Sequence, residues 1–332
     1  MNIRNRKELT SFAAERLASA PQKKRIVLIY SGLVIGINLM AVVVGYVLGL
    51  QIDRMTGLRN MSLRSTLSAI QTMLPILQSI LVMCLDLGYV STMLRTARGQ
   101  YASPNGIRLG FDRIWLLLRS QIILSLFYVG ICIVSVYASS TIYMMSPFSG
   151  DTLELMMPLM SEASVLNPEI VLDDATYMQL VSSMTPAFVI FGVIFTALYI
   201  PVTYRFRMTK YIIIDKPGIS AINALRESRI MMKGNAVNLF KLDLYLSWYH
   251  IALLLSSVIC YGDQILPMLG VELPFSADVA YFVFYGLYWA LQAAIYFFLR
   301  NRVEASYALA YDAIRPEEPK TDGVVLGNIF QM

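Results

Sequence analysis

Hydrophobic positions in this chain gather into long uninterrupted runs: about Ile26 to Leu50, Leu67 to Leu94, Gln121 to Tyr143, Pro186 to Tyr204, Leu244 to Tyr261 and Val279 to Leu299. A helix rises about 1.5 Å per residue, so each run is long enough to cross a hydrocarbon layer of roughly 30 Å. The pattern predicts an all-α polytopic membrane helix bundle of about six transmembrane helices. Outside the runs the pattern turns mixed and helical. Leu9, Phe12, Ala13 and Leu17 fall at helical spacing within Arg6 to Ala18, which predicts an amphipathic helix on the inner membrane surface.

Two further interfacial helices are expected. Residues 218–235 follow a Pro217-Gly218 turn, with Ser220 placed to cap, Ile222, Leu225 and Met232 on one side, and Gly234 placed to stop the helix. Ile107 to Arg119 follows a turn at Pro104, Asn105 and Gly106 and mixes Leu109, Phe111, Ile114 and Trp115 with Arg108, Asp112 and Arg113. Both helices come after a span opened by a proline region (Pro75, Pro186), and the two halves run in the same sense. That order predicts a parallel internal repeat about an axis along the membrane normal. The chain then divides into a cytoplasmic amphipathic segment (1–25), a six-span domain (26–299) with a long outer segment (147–185), and a cytoplasmic tail (300–332).

Composition agrees with this division. Apolar residues make up 57% of the 332 and charged residues 15%, against roughly 45–50% and about 25% in soluble domains. The net charge of +5 does not form a basic domain, which argues against a nucleic-acid partner. It follows topology instead. With the N-terminus inside, 24 of the 27 Lys and Arg residues fall in cytoplasmic stretches, and only Arg54, Arg59 and Arg64 fall outside. The outer segments 147–185 and 262–278 hold nine acidic residues and no basic ones. Residues 1–25 are polar and the first apolar run exceeds a signal-peptide core, so the first span is expected to persist.

Candidate chemistry is sparse. Cys84, Cys132 and Cys260 stand singly in apolar runs and read as reduced packing residues. The metalloprotease, nucleophile-elbow and phosphate-loop signatures are absent, so no catalytic residue, cofactor or metal is expected. Methionines around the outer segment (Met144, Met145, Met156, Met157, Met160, Met178, Met184) have thioethers that suit Cu(I), but they read more simply as an apolar piece at the interface. Glu169, Asp173 and Asp174 read as solvated. Asp86, Arg119, Lys241 and Asp243 lie near the inner boundary, and Asp86 with Arg119 is the candidate helix-helix ion pair. Asn38, Gln78, Gln121 and Gln292 are the deeper amides; packing between helices is their default role. Asn38, Gln78, Gln292 and the single histidine, His250, are the candidates for a polar cavity, with Pro75 and Pro201 as kink sites.

The segment Tyr204 to Phe240, YRFRMTKYIIIDKPGISAINALRESRIMMKGNAVNLF, resembles the central signature of a bacterial family of uncharacterised membrane proteins, domain of unknown function 975. The elements that carry the likeness are Tyr204, Tyr211, Asp215 with Pro217, Ser228, Lys233 with Gly234, and Phe240 with Trp248. It extends more loosely to the N-terminal helix and to Tyr307 to Ile314, while the outer segment 147–185 is longer than the family leads one to expect. The resemblance implies a multi-pass bacterial membrane protein and brings no activity. The expected role is therefore a non-enzymatic scaffold or accessory component of the cell membrane. Its candidate contacts to anionic lipid head groups are Arg226, Arg229 and Lys233. The alternative is a permease or exporter for a small or lipid-like substrate.

Overall fold

Five of the six apolar runs lie inside longer helical stretches, because the backbone ladder continues past the hydrophobic stretch, and the run Leu244 to Tyr261 is broken. The computed structural model describes residues 5–55, 61–150, 152–155, 157, 174–268, 270–271, 274 and 276–315, with no strand among them. In chain order the helices are α1 (Arg6–Ala18), α2 (Lys23–Arg54), α3 (Met61–Ala97), a 3-10 turn (Pro104–Arg108), α4 (Leu109–Asp112), α5 (Ile114–Met144) and α6 (Asp174–Phe206). They continue with α7 (Thr209–Asp215), α8 (Ala221–Met231), α9 (Ala236–Tyr245), α10 (Ser247–Cys260), α11 (Gly262–Met268), α12 (Ala277–Ile295), a π-helical turn (Tyr296–Arg300) and α13 (Asn301–Ile314). Among the described residues five helices are long and apolar enough to cross a membrane, and α9 with α10 makes a sixth if that pair is one broken span.

Two compact units divide the chain: Met1–Leu118 with Arg207–Met332, and Arg119–Phe206. In the second unit, most of α5 meets α6 through Phe127 and Phe206, whose ring centroids lie 5.5 Å apart, and through Tyr128 and Tyr199 at 5.0 Å. Toward the other end of the same pair, the Tyr143 hydroxyl donates to the Ser183 carbonyl at 3.0 Å.

In the first unit the core is not at mid-span. The first half of α3 turns Ile70, Met73, Ile76 and Leu77 outward, whereas Cys84 to Leu94 is almost wholly buried. Two glycines make that second half possible. A Cβ on Gly88 would stand 1.9 Å from the Ile107 carbonyl oxygen, and one on Gly110 would stand 1.7 Å from that of Cys84. With no side chain at either position, the 3-10 turn and α4 lie directly on the α3 backbone.

Several expectations are revised. The apolar face of α1, with Leu9, Ala13 and Leu17 buried, packs on α13 and α3, so protein covers a face that was expected to rest on lipid. The fifth span bends by 62° between α9 and α10, with Leu246 at the break and no proline or glycine there. Ile107 to Arg119 is not one helix: it is a 3-10 turn, a four-residue helix and the start of α5. This loop therefore differs in build from its proposed counterpart, which supplies a complete 11-residue helix. The segment read as a C-terminal tail begins with α13, whose Val303, Tyr307, Ala308 and Tyr311 are buried. Most of the outer acidic segment, Met156, Met160 and residues 316–332 lie outside the described residues.

Candidate functional site

The family-like segment folds as its residue types require. Tyr211, Ile212 and Ile213 of α7 are buried. Gly218, at φ +90°, takes the turn after Pro217, and the Ser220 hydroxyl accepts the Asn223 N–H to cap α8. Fully buried Ser228 accepts the Met208 N–H at 3.2 Å, tying α8 to the start of α7. Gly234, at φ +86°, ends the run. Arg113 donates to the Ile213 and Ile214 carbonyls at the C-terminal end of α7, where orphan carbonyls and the helix dipole favour a cation.

Around α7 the ionic groups assemble into three neighbouring sets, all at the polar end of the first unit. In the first set, Arg98 holds Asp215 through Nη1 at 2.7 Å and Asp312 through Nη2 at 2.6 Å. Arg315 and the Tyr311 hydroxyl complete the shell of Asp215. The Asp312 carboxylate, more than any other group, raises the Arg98 guanidinium above its ordinary value, so this cation persists at any pH the fold meets.

In the second set, Asp86 accepts from both Lys210 and Arg300. Its partners come from α7 and from the π-helical turn, whereas the expected partner was Arg119. The Arg300 guanidinium stands over the rings of Tyr30, Tyr296 and Tyr89, at 4.6, 4.7 and 5.2 Å from their centroids. Tyr30 and Tyr89 stack on each other at 4.4 Å. The Tyr89 hydroxyl donates to Asn301 Oδ1 at 2.6 Å. A planar cation suits such a cage because both of its faces can lie on π-systems.

In the third set, Arg207 pairs with Asp243 at 3.2 Å, and the Tyr307 hydroxyl donates to the same carboxylate at 2.5 Å. His250 Nε2 lies 3.3 Å from the Tyr307 hydroxyl. His250 is thus tied into a network at the elbow between α9 and α10.

Between the second and third sets lies a cavity of about 260 Å³ lined by Val90, Arg207, Met208, Lys210, Tyr211, Glu304 and Tyr307. Glu304 has one hydrogen bond, from the Tyr211 hydroxyl at 3.4 Å, and no ion pair among the described residues. Nothing before the fold singled out Glu304. The signal available was the i, i+4, i+8 series Val303, Tyr307 and Tyr311, which marks a buried helical stripe beyond the last span.

The amides are used elsewhere. Gln78 donates to Asn38, whose own amide donates to the Val34 carbonyl at 2.6 Å. Gln292 donates to Ser256 at 2.9 Å, joining α12 to α10. None of Asn38, Gln78, Gln292 and His250 lines the 260 Å³ cavity. Arg226, Arg229 and Lys233 are exposed, on and just after α8. Beside them Ile222 and Ile230 are each 63% exposed. Ile222 therefore faces outward, away from the Leu225 and Met232 side on which helical spacing had placed it. Among the described residues no three His, Cys, Asp or Glu side chains converge as a metal centre would require.

No curated protein and no solved structure matches the chain. A family model described as "Protein of unknown function (DUF975)" matches residues 1–302. That range contains the whole Tyr204 to Phe240 segment and stops short of the Tyr307 to Ile314 likeness. With α7, α8, the glycine-mediated crossing of α3 and α4, and the tyrosine-caged Arg300 all inside the matched range, this chain belongs to the DUF975 family.

Proposed function

We propose that the protein is a non-enzymatic component of the cell membrane, with both termini cytoplasmic, whose α8 face engages anionic lipid head groups while the bundle supports a partner. The orientation rests on the placement of 24 of 27 Lys and Arg residues on one side of the spans. The observation that carries the lipid reading is the outward face of α8. Ile222 and Ile230 are exposed among Arg226, Arg229 and Lys233, and the opposite face (Ala224, Leu225, Ser228) is buried. An exposed face of that kind gains by lying in the head-group layer, with apolar groups downward and basic groups toward phosphate. Each basic residue near an anionic surface contributes about 1 kcal/mol, so three contribute about 3 kcal/mol.

The test uses full-length protein in nanodiscs, with an environment-sensitive fluorophore on Ile230→Cys. Cys132 and Cys260 are replaced by alanine and buried Cys84 is kept. Emission should shift to the blue in anionic relative to zwitterionic discs, and R226Q/R229Q/K233Q should remove the difference. The same emission in both discs would refute the lipid contact.

A second reading, a permease or exporter, draws support from the 260 Å³ cavity beside the bent α9–α10 pair. Against it, Asn38, Gln78 and Gln292 are engaged in helix-to-helix hydrogen bonds. Substrate flux in proteoliposomes that V90F abolishes would favour this reading over the scaffold.

A further inference from the structure

The cavity beneath α7 has a charge pattern that selects among ligands. Three cations (Arg207, Lys210, Arg300) and three carboxylates (Asp86, Asp243, Glu304) stand in or directly behind its wall. With Glu304 ionised, the set is neutral. A ligand of either net sign would add an uncompensated charge to this balanced set. A dipolar ligand leaves the balance intact.

The free valences are dipolar as well. Lys210 carries an ammonium with three N–H groups, of which Asp86 takes one. Glu304 has two carboxylate oxygens and a single long hydrogen bond, from Tyr211 at 3.4 Å. Tyr211 and Tyr307 stand in the same wall, and aromatic rings attract a cation held near their faces. A donor side for an oxyanion and an acceptor side for an ammonium therefore share one small chamber. Its volume, about 260 Å³, falls just below the roughly 300–1,000 Å³ of drug-sized pockets, which fits a head group and excludes a whole lipid.

Depth narrows the source. Glu304 lies five residues past Leu299, the end of the last apolar run, which is about 7–8 Å along a helix. The head-group layer adds about 5–8 Å to each side of the hydrocarbon. With the apolar run as the hydrocarbon span, the cavity falls at the level of lipid phosphates.

We infer that this cavity binds a phosphoethanolamine diester, a balanced zwitterion, with its phosphate on Lys210 and Arg207 and its primary ammonium on Glu304, either as a lipid head group or as the free glycerol ester. A quaternary ammonium has no N–H to give Glu304, so choline is a poorer ligand. The inference rests on the chain spanning a bilayer and is independent of the outward face of α8.

Native mass spectrometry of the full-length protein in mild detergent, titrated with phosphatidylethanolamine, phosphatidylcholine and phosphatidylglycerol of matched chains, tests it. Phosphatidylethanolamine should be retained at least about tenfold over the other two, and E304Q should erase that preference. V90F, which fills the chamber without touching a charge, should erase it too and serves if E304Q does not fold. R226Q/R229Q/K233Q should leave it unchanged, which separates this site from the α8 surface. Displacement by millimolar glycerophosphoethanolamine would identify the free ester as a ligand, and retention despite it would assign the site to lipid; either result upholds the site. Equal retention of the three lipids by wild-type protein, or an undiminished preference in both E304Q and V90F, would overturn it.

Discussion

Gly110→Ala is the sharpest test of how the first unit is held together. The new Cβ would stand 1.7 Å from the Cys84 carbonyl oxygen and 2.6 Å from its carbon. These are backbone atoms in the middle of a helix, so no rotamer change relieves the clash. Carbon and oxygen need more than 3 Å, so α4 and α3 must separate by upwards of an ångström. That separation would open the interface made by Cys84, Gly88 and Ile107. Ordinary overpacking costs about 1–3 kcal/mol. With backbone on both sides the expected loss is at the top of that range, about 3 kcal/mol. At about 2–4 °C per kcal/mol for a unit of this size, the midpoint should fall by about 6–12 °C. Thermal unfolding in detergent, followed by the loss of monodisperse protein on size exclusion, reads it directly. Gly36→Ala in α2 is the control, because nothing lies within 4 Å of the added methyl; there the helix should gain about 0.5–1 kcal/mol. A Gly110→Ala midpoint within 2 °C of wild type would refute the close-crossing argument.

Two further outcomes follow from the same structure. Arg300→Lys keeps the charge opposite Asp86 but loses the planar group over Tyr30, Tyr89 and Tyr296. It should destabilise by about 1–2 kcal/mol, and a wild-type melting curve would show that the cage contributes nothing beyond charge. Asn38→Leu leaves the Gln78 amide without its partner and should cost about 0.6–1.7 kcal/mol. Adding Gln78→Leu should recover part of the loss, and strict additivity in that double-mutant cycle would argue against a direct bond.

Local features were readable from the sequence because their causes are local. Helix α1 runs from Arg6 to Ala18 as its apolar spacing predicts, and Ser220 and Gly234 cap and stop their segment as their residue types allow. The covering of each face was not readable. An amphipathic pattern shows that Leu9, Ala13 and Leu17 need cover and does not distinguish lipid from protein. The ionic partnerships were hidden for a related reason. Asp86 reaches Lys210 and Arg300 across 124 and 214 residues, while spacing along the chain pointed to Arg119. The bend at Leu246 left no residue signal, since neither proline nor glycine stands there and the chain turns through a bond from the Tyr249 N–H to the Leu246 carbonyl. Glu304 carries no such signal, because it lies past the last hydrophobic run, where charged residues are also expected of a solvated tail.

The last helix runs from its packing on α10 to its packing on α3 and α1. From Ala277 through the π-helical turn to Ile314 the chain is one unbroken rod of 38 residues, about 57 Å long at 1.5 Å per residue. Its far end carries Glu304 and Asp312, so a cavity wall and half of an ionic lock are rigidly attached to a membrane-length helix. A tilt of about 5° about Ala277 would move Glu304, about 40 Å along the rod, by about 3.5 Å, and spans answer bilayer thickness by tilting. In the bilayer-spanning reading proposed above, the thickness of the membrane would set the position of Glu304 and Asp312.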